Sequence, residues 1–242
     1  MIPLFKVVKS GVYSSIQDRG RFGFRKFGVP VSGPMDAEAY TLGHKIMCNA
    51  ENETALELFL GGLTLEVLID HRIVIAGADL GAIIDGQEVP MWKSHSINKG
   101  QILSFQKPMN GAITYIIPEG GFSVKGFLGS KSSYYKGGIG EPINHGTILY
   151  ANSMKRRRFN RGLLEEFIPT YETEISIELF ESPHMKLFKQ SSIDMFLTNP
   201  YTMRGGDRMG YFFNGPSLEF ITSGDIVSEA TQFGTVQVPT HG

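Results

Sequence analysis

The chain has 242 residues, 41% of them apolar and 19% charged, with 23 Lys and Arg against 24 Asp and Glu and a formal net charge of -1. That length and apolar share suit one large β-rich domain or two small ones, each with its own core, and exclude a disordered chain. The balanced charge gives no global field to hold a phosphate backbone, so neither nucleic acid nor an anionic surface is an expected partner.

Cys48 is the single cysteine, which excludes an intrachain disulfide framework and an all-cysteine metal site and fits a reducing compartment. Residues 1–9 lack the apolar core and small-residue cleavage site of a signal peptide. Apolar stretches such as 58–63 and 73–78 fall far short of the roughly 20 residues that span a bilayer. A cytoplasmic location with no membrane contact is the expectation. Glycine, at 29 residues, exceeds the roughly 7% of an average protein, and it punctuates short apolar runs in the manner of strands joined by tight turns.

In chain order, the first predicted element is a helix capped by Asp36, with Ala39, Leu42, Ile46 and Met47 at helical spacing, ending near Asn49. Short β-favouring runs follow at 55–60, 63–69, 72–76, 81–84, 102–106 and 112–117. Turn signals such as Asp85-Gly86 and Asn110-Gly111 separate them. Runs spaced at about 8–12 residues argue for a sandwich or barrel, so the fold class is mainly β.

Glycines then cluster between 126 and 140, and the basic run Lys155-Arg156-Arg157-Arg158 precedes Glu165-Glu166. We read a first domain over 1–150, a connection over 151–172 whose basic run is a solvated linker, and a second domain over 173–242. Within the second, strands are expected at 174–180, 193–197, 209–213, 217–221, 225–230 and 235–238, with a short helix over 183–190.

Neither GxxxxGK[ST] nor a GxGxxG after a strand is present, so no ATP site is assigned within the chain. The six histidines lie far apart without HxxxH or HExxH spacing, and no metal site is predicted. Gly-x-Ser-x-Gly is absent as well.

What remains is a polar block, Gln17-Asp18-Arg19-Gly20-Arg21-Phe22-Gly23, followed by Gly28-Val29-Pro30-Val31-Ser32-Gly33-Pro34-Met35-Asp36. Arg19 and Arg21 offer forked donors that match a carboxylate or phosphate, and Asp18 can orient one of them. The plain alternative is a structural turn in which Asp18 pairs with an arginine. Glu57 and Asp79 each sit among apolar neighbours. Either acid points out of a sheet to solvent, or it points inward and is a candidate for general acid or base work. Near the C-terminus, Asp207 and Arg208 beside glycine are followed by a hydroxyl, a carboxylate and an amide in Ser228, Glu229 and Gln237. Ordinary β-turns with surface ion pairs are the alternative there.

These residues, together with Gly77-Ala78-Asp79-Leu80-Gly81, Gly120-Gly121-Phe122, Leu128-Gly129-Ser130, Asp207-Arg208-Met209-Gly210 and Gly234-Thr235-Val236-Gln237-Val238-Pro239, resemble the biotin-dependent carboxyltransferase-like family. Its members include the C-type component of the bacterial ATP-dependent 5-oxoprolinase, the antagonist of a sporulation-kinase inhibitor, and the carboxyltransferase domain of urea amidolyase. The resemblance implies two tandem cyclophilin-like β-barrels. It also implies a B-type subunit of related fold and an A-type subunit as partners, in a complex that uses ATP to open the 5-oxoproline lactam to glutamate, this chain being inactive alone.

On that reading Asp18, Glu57 and Asp79 are acid/base candidates. Arg19, Arg21, Ser130, Asp207, Arg208, Ser228, Glu229 and Gln237 are substrate contacts for a small amide or lactam. Two alternatives stay open: biotin-dependent carboxyl transfer to a urea-like amide, which calls for a biotinylated partner, and non-catalytic binding to a kinase-inhibitor partner. The chain departs from the family at Gly140-Glu141, where Gly-Arg is usual. It also ends at Thr240-His241-Gly242 where relatives continue, so a second barrel lacking its final strands is expected.

Overall fold

A computed structural model of the chain describes residues 1–153, 160–222, 229 and 231–239. They fall into two units, Met1–Glu174 and Ile175–Gly242. The first opens with strands β1 (Ile2–Lys9) and β2 (Tyr13–Gln17) and helix α1 (Ala37–Met47). The Asp36 carboxylate caps α1 by accepting the Ala39 N–H at 2.9 Å. Cys48, in the left-handed region at φ 56, closes it within two residues of the predicted end.

Nine strands follow: β3 (Ala55–Phe59), β4 (Thr64–Val67), β5 (His71–Asp79), β6 (Ala82–Ile84), β7 (Gln87–Glu88), β8 (Lys93–Ile97), β9 (Ile102–Phe105), β10 (Asn110–Pro118) and β11 (Ile148–Ala151). They pair antiparallel into a six-stranded sheet, β11-β1-β4-β9-β6-β7, and a five-stranded sheet, β2-β3-β10-β5-β8. The mainly β class holds, and the runs expected between 55 and 117 coincide with strands. The sequence reading omits β1, β2, β7, β8 and β11; polar residues interrupt the apolar pattern in β1, β2, β7 and β8, and β11 is only four residues long.

Strand alternation decides what each face buries. Ile73 and Ile75 of β5, with Leu56 and Ile116, pack against Phe5, Leu65 and Leu103 of the six-stranded sheet. Val74 and Ala76 point the other way, where Tyr115 and Ile117 meet Tyr40, Ile46 and Met47 of α1. The five-stranded sheet is therefore covered on both faces, which is why β5 reads as a continuous apolar run. Each fully buried aliphatic side chain contributes about 1.5–3 kcal/mol to holding these layers together.

Part of the segment read as a connection also belongs to this unit. Gly162 bridges to Lys93, and Leu163, Ile168 and Tyr171 pack on the α1 cluster. The basic run 155–158 lies outside the described residues.

In the second unit, helix α2 (Gln190–Thr198) precedes a hairpin of β12 (Thr202–Asp207) and β13 (Gly210–Asn214). Several expectations fail here. Residues 193–197 are helical, not extended: Ile193, Phe196 and Leu197 recur at i, i+3 and i+4, a spacing that a five-residue apolar run shares with a strand. The helix expected over 183–190 is instead a 3-10 turn, Pro183–Leu187, capped by Ser182. Residues 174–180 and 235–238 form no strand, and 217–221 contributes only a bridge between Phe220 and Phe188. The run 225–230 lies outside the described residues except for Glu229.

Candidate functional site

The polar block becomes a knot of three loops. β2 delivers Gln17 and Asp18 to a turn that packs against residues 31–33. Gly20 (φ 103) and Gly33 (φ 88) permit that contact, since a Cβ on either would lie 2.8–2.9 Å from atoms of the opposing loop. The Arg21 N–H donates to the Val31 carbonyl at 2.7 Å. Gln17 clamps the same pair, accepting the Gly33 N–H at 3.1 Å and donating to Ser15 Oγ at 2.8 Å.

The third loop, residues 127–133, is held by Asp18. Its Oδ1 accepts the Ser130 and Ser132 hydroxyls, both at 2.6 Å, and the Gly20 N–H at 2.9 Å. Its Oδ2 accepts the Lys131 N–H at 2.6 Å. Burial alone would raise the Asp18 pKa, yet the Lys131 N–H, the two hydroxyls and the Gly20 N–H outweigh it and hold the carboxyl below its ordinary value. Asp18 is thus a saturated, charged anchor that makes no hydrogen bond to either arginine among the described residues and acts on Arg21 through its charge and through the loop it holds.

Arg21 lies 1% exposed inside the knot. Its Nε donates to the Phe127 carbonyl at 3.0 Å and its Nη2 to the Ser132 carbonyl at 2.7 Å. Nη1 is buried with no hydrogen-bond partner among the described residues. Burial pulls the Arg21 pKa down while the Asp18 charge pushes it back up. Arg19 is different: its side chain is half exposed, and it pairs with Glu51 at 2.8 Å on the surface.

Glu57 answers the question left open by sequence. It points inward, 3% exposed, on the α1 side of β3. Its Oε2 accepts the Tyr115 hydroxyl at 2.8 Å and the Met35 N–H at 2.9 Å, and Tyr115 Oη in turn accepts the Asp36 N–H at 2.9 Å. Burial and then the Glu57 charge push the Tyr115 pKa well above the ordinary phenol. Asp36 extends the chain by accepting the Tyr171 hydroxyl at 2.6 Å.

Asp79 lies exposed at the end of β5 and accepts the Gly81 N–H at 2.8 Å. Three predicted residues, Asp18, Arg21 and Ser130, therefore meet in one place, with Arg19 beside them. Glu57 and Asp79 occupy other parts of the unit. In the second unit Asp207 accepts the Met209 N–H at 2.7 Å in the hairpin turn, next to Arg208. Glu229 meets His184 at 2.9 Å. Gln237 is exposed, and Ser228 lies outside the described residues. The sequence reading placed Gln17 in the polar block without a role and missed Ser132 and Tyr115; the Ser132-Ser133 pair is the local signal that could have pointed to the hydroxyl cluster.

The geometry does not favour proton transfer by Asp18, because a carboxylate with four donors and a lowered pKa is a weak base. A nucleotide phosphate is disfavoured at the start of α1, where the Glu57 and Asp36 carboxylates already accept the Met35 and Ala39 N–H groups and Tyr115 accepts that of Asp36. No group of three or more His, Cys, Asp or Glu side chains among the described residues is placed to hold a metal ion. No helix among them is long and apolar enough to cross a membrane.

Fold and motifs together define a carboxyltransferase-type β domain. The chain matches the family described as carboxyltransferase domain, subdomain A and B, over residues 27–242, and it belongs to that family. Two bacterial relatives are named as the C component of 5-oxoprolinase. The protein from Haemophilus influenzae is 33% identical over 231 residues, 95% of this chain and 74% of that protein. The one from Escherichia coli is 29% identical over 99% of this chain and 77% of its own length. Among solved structures, K. lactis urea amidolyase superposes with a TM-score of 0.81 at 25% identity, covering 92% of this chain and 14% of that protein.

Proposed function

We propose that the chain acts as the C-type component of an ATP-dependent 5-oxoprolinase that opens 5-oxoproline to L-glutamate, together with A-type and B-type subunits and without activity alone. The observation that carries this reading is the likeness to two proteins of that name along 95% and 99% of the chain. The urea amidolyase, by contrast, is matched over a small fraction of its length.

Arg21 supplies the chemistry within this chain. Its Nη1, uncommitted among the described residues, is matched to the carboxylate of a small lactam acid; because Arg21 is buried, that contact requires the loop knot to open. Asp18, Ser130 and Ser132 position the loop that carries the Phe127 and Ser132 carbonyls, and so hold Arg21 in place. ATP supplies the driving force for lactam opening in such a complex. The Glu57 and Asp36 carboxylates at the start of α1 disfavour its phosphates there. Glu57 and Asp79 remain acid/base candidates; Arg19, Asp207, Arg208, Ser228, Glu229 and Gln237 remain candidate contacts.

The test mixes the chain with A-type and B-type subunits, 5-oxoproline and ATP and measures glutamate release. Release that requires this chain, and a KM for 5-oxoproline raised at least tenfold by Arg21→Lys with folding intact, is the expected result. Equal release when the chain is omitted would overturn the proposal. Carboxyl transfer from a biotinylated partner to urea is the second reading, favoured by the amidolyase superposition, and transfer of labelled carboxyl to urea would establish it.

A further inference from the structure

The turn beside the Arg21 guanidinium breaks a rule that another turn of the first unit obeys. Phe127 and Ser130 pair as an isolated bridge, the Phe127 N–H donating to the Ser130 carbonyl at 2.7 Å and the Ser130 N–H to the Phe127 carbonyl at 3.2 Å. Between them Leu128 (φ 50) and Gly129 (φ 78) both lie in the left-handed region. The β6–β7 hairpin repeats that pattern, with Asp85 at φ 49 and Gly86 at φ 84. Two positive φ values in succession are what a type I′ turn requires, and Asn-Gly or Asp-Gly is the favoured pair there.

Asp85-Gly86 follows that preference and Leu128-Gly129 does not. In the left-handed region the leucine Cβ crowds the following carbonyl oxygen, a strain that glycine escapes and that Asn or Asp tolerates. Core packing does not offset it. Phe127 and Leu128 are 49% and 38% exposed, and neither joins the two apolar clusters of the unit.

The strained turn holds one side of the guanidinium. The Phe127 carbonyl accepts Arg21 Nε at 3.0 Å, and the Phe127 ring centre lies 5.8 Å from the guanidinium carbon. The following residues are fastened elsewhere. The Ser130 and Ser132 hydroxyls and the Lys131 N–H all end on Asp18, and the Ser133 N–H donates to the Ile16 carbonyl at 2.9 Å. Swinging residues 127–129 outward therefore breaks the bridge and the Arg21 Nε bond but leaves the Asp18 anchor whole.

We propose that the Phe127–Ser130 turn is a lid that opens to admit an anionic ligand to Arg21, with Leu128 the positioning residue whose strain keeps the closed form easy to leave. This rests on the reading of Arg21 as the carboxylate contact, and it supplies the route to a guanidinium that is 1% exposed.

Amide hydrogen exchange of the full chain without ligand tests the lid itself. The protection factor at Phe127 should lie about tenfold or more below those at Lys131 and Ser133. Leu128→Asn, which restores the favoured Asn-Gly pair, should raise it about fivefold, while β10 amides at the sheet centre stay unchanged and report an intact fold. A ligand binds only the open fraction, so the same variant in the complex with A-type and B-type subunits should raise the KM for 5-oxoproline by a similar factor at unchanged kcat. Equal protection at Phe127 and Lys131, or no gain in Leu128→Asn, would overturn the lid. So would an unchanged KM in Leu128→Asn where Arg21→Lys raises it. An unchanged KM in Arg21→Lys, beside the expected exchange pattern, would instead overturn the carboxylate reading and leave the lid standing.

Discussion

Ser130 Oγ donates to Asp18 Oδ1 at 2.6 Å although 112 residues separate them in the chain. That bond, with those from Ser132 and Lys131, makes one carboxylate the fastener between the end of β2 and the 127–133 loop. Asp18→Asn replaces one charged acceptor by a donor facing donors. It should cost about 3 kcal/mol in urea unfolding of the first unit. Because the folded pKa lies below the ordinary value, the Asp18 contribution is complete above the unfolded carboxylate pKa of about 4 and is lost as pH falls through the folded one. The variant should therefore have a shallower acid limb; an unchanged limb would refute the assignment.

His44 carries a second pH dependence of different origin. It is 2% exposed, its Nδ1 accepts from Asn49 Nδ2 at 3.1 Å, and its ring meets Tyr40 edge-on at 4.4 Å. Burial pushes its pKa down to about 4. The unfolded chain binds the proton first, so stability should rise with pH between about 4 and 6.5, by about 3 kcal/mol in all. Urea midpoints across that range should show the slope in the parent and a weaker one in His44→Gln.

Glu57 and Tyr115 form a buried pair that ties the α1 entry to β3 and β10. Tyr115→Phe should cost about 1–2 kcal/mol through the unpaired Asp36 N–H and the weakened Glu57 environment. In a double-mutant cycle with Glu57→Gln, a coupling of about 1 kcal/mol or more is expected. Strict additivity would show that the hydroxyl and carboxylate act independently.

Gly33→Ala tests the contact between the first two loops. The position has φ 88, and an added Cβ would sit 2.9 Å from the Arg19 carbonyl oxygen. A loss of about 2 kcal/mol or more is expected. Arg19→Ala nearby, which breaks only a surface pair with Glu51, should change stability by less than about 1 kcal/mol.

The sequence was informative wherever a local pattern decides the structure. Asp36 before helical spacing marks α1, and Asp85-Gly86 or Asn110-Gly111 between apolar runs mark turns. It misled where burial breaks the pattern. β2 is Tyr-Ser-Ser-Ile-Gln, yet Ser15 and Gln17 are fully buried because their side chains serve the loop knot. The run 193–197 is too short for its apolar residues to distinguish helix from strand. Arg21 and Asp18 were visible as candidates, but their division of labour rests on Ser130, Ser132 and the Phe127 carbonyl, partners more than 100 residues away that no local spacing reveals.

The order of the five-stranded sheet has a kinetic consequence. β10 lies between β3 and β5, and its Tyr115 meets Glu57 across 58 residues. The centre of the sheet thus contains no local hairpin, and each pairing must close a long loop before it gains a ladder. Chains with such non-local topology fold in milliseconds to seconds rather than microseconds. The Asp18–Ser130 fastener closes a longer loop still, so it should form after the sheet has assembled, and its mutation should speed unfolding more than it slows folding.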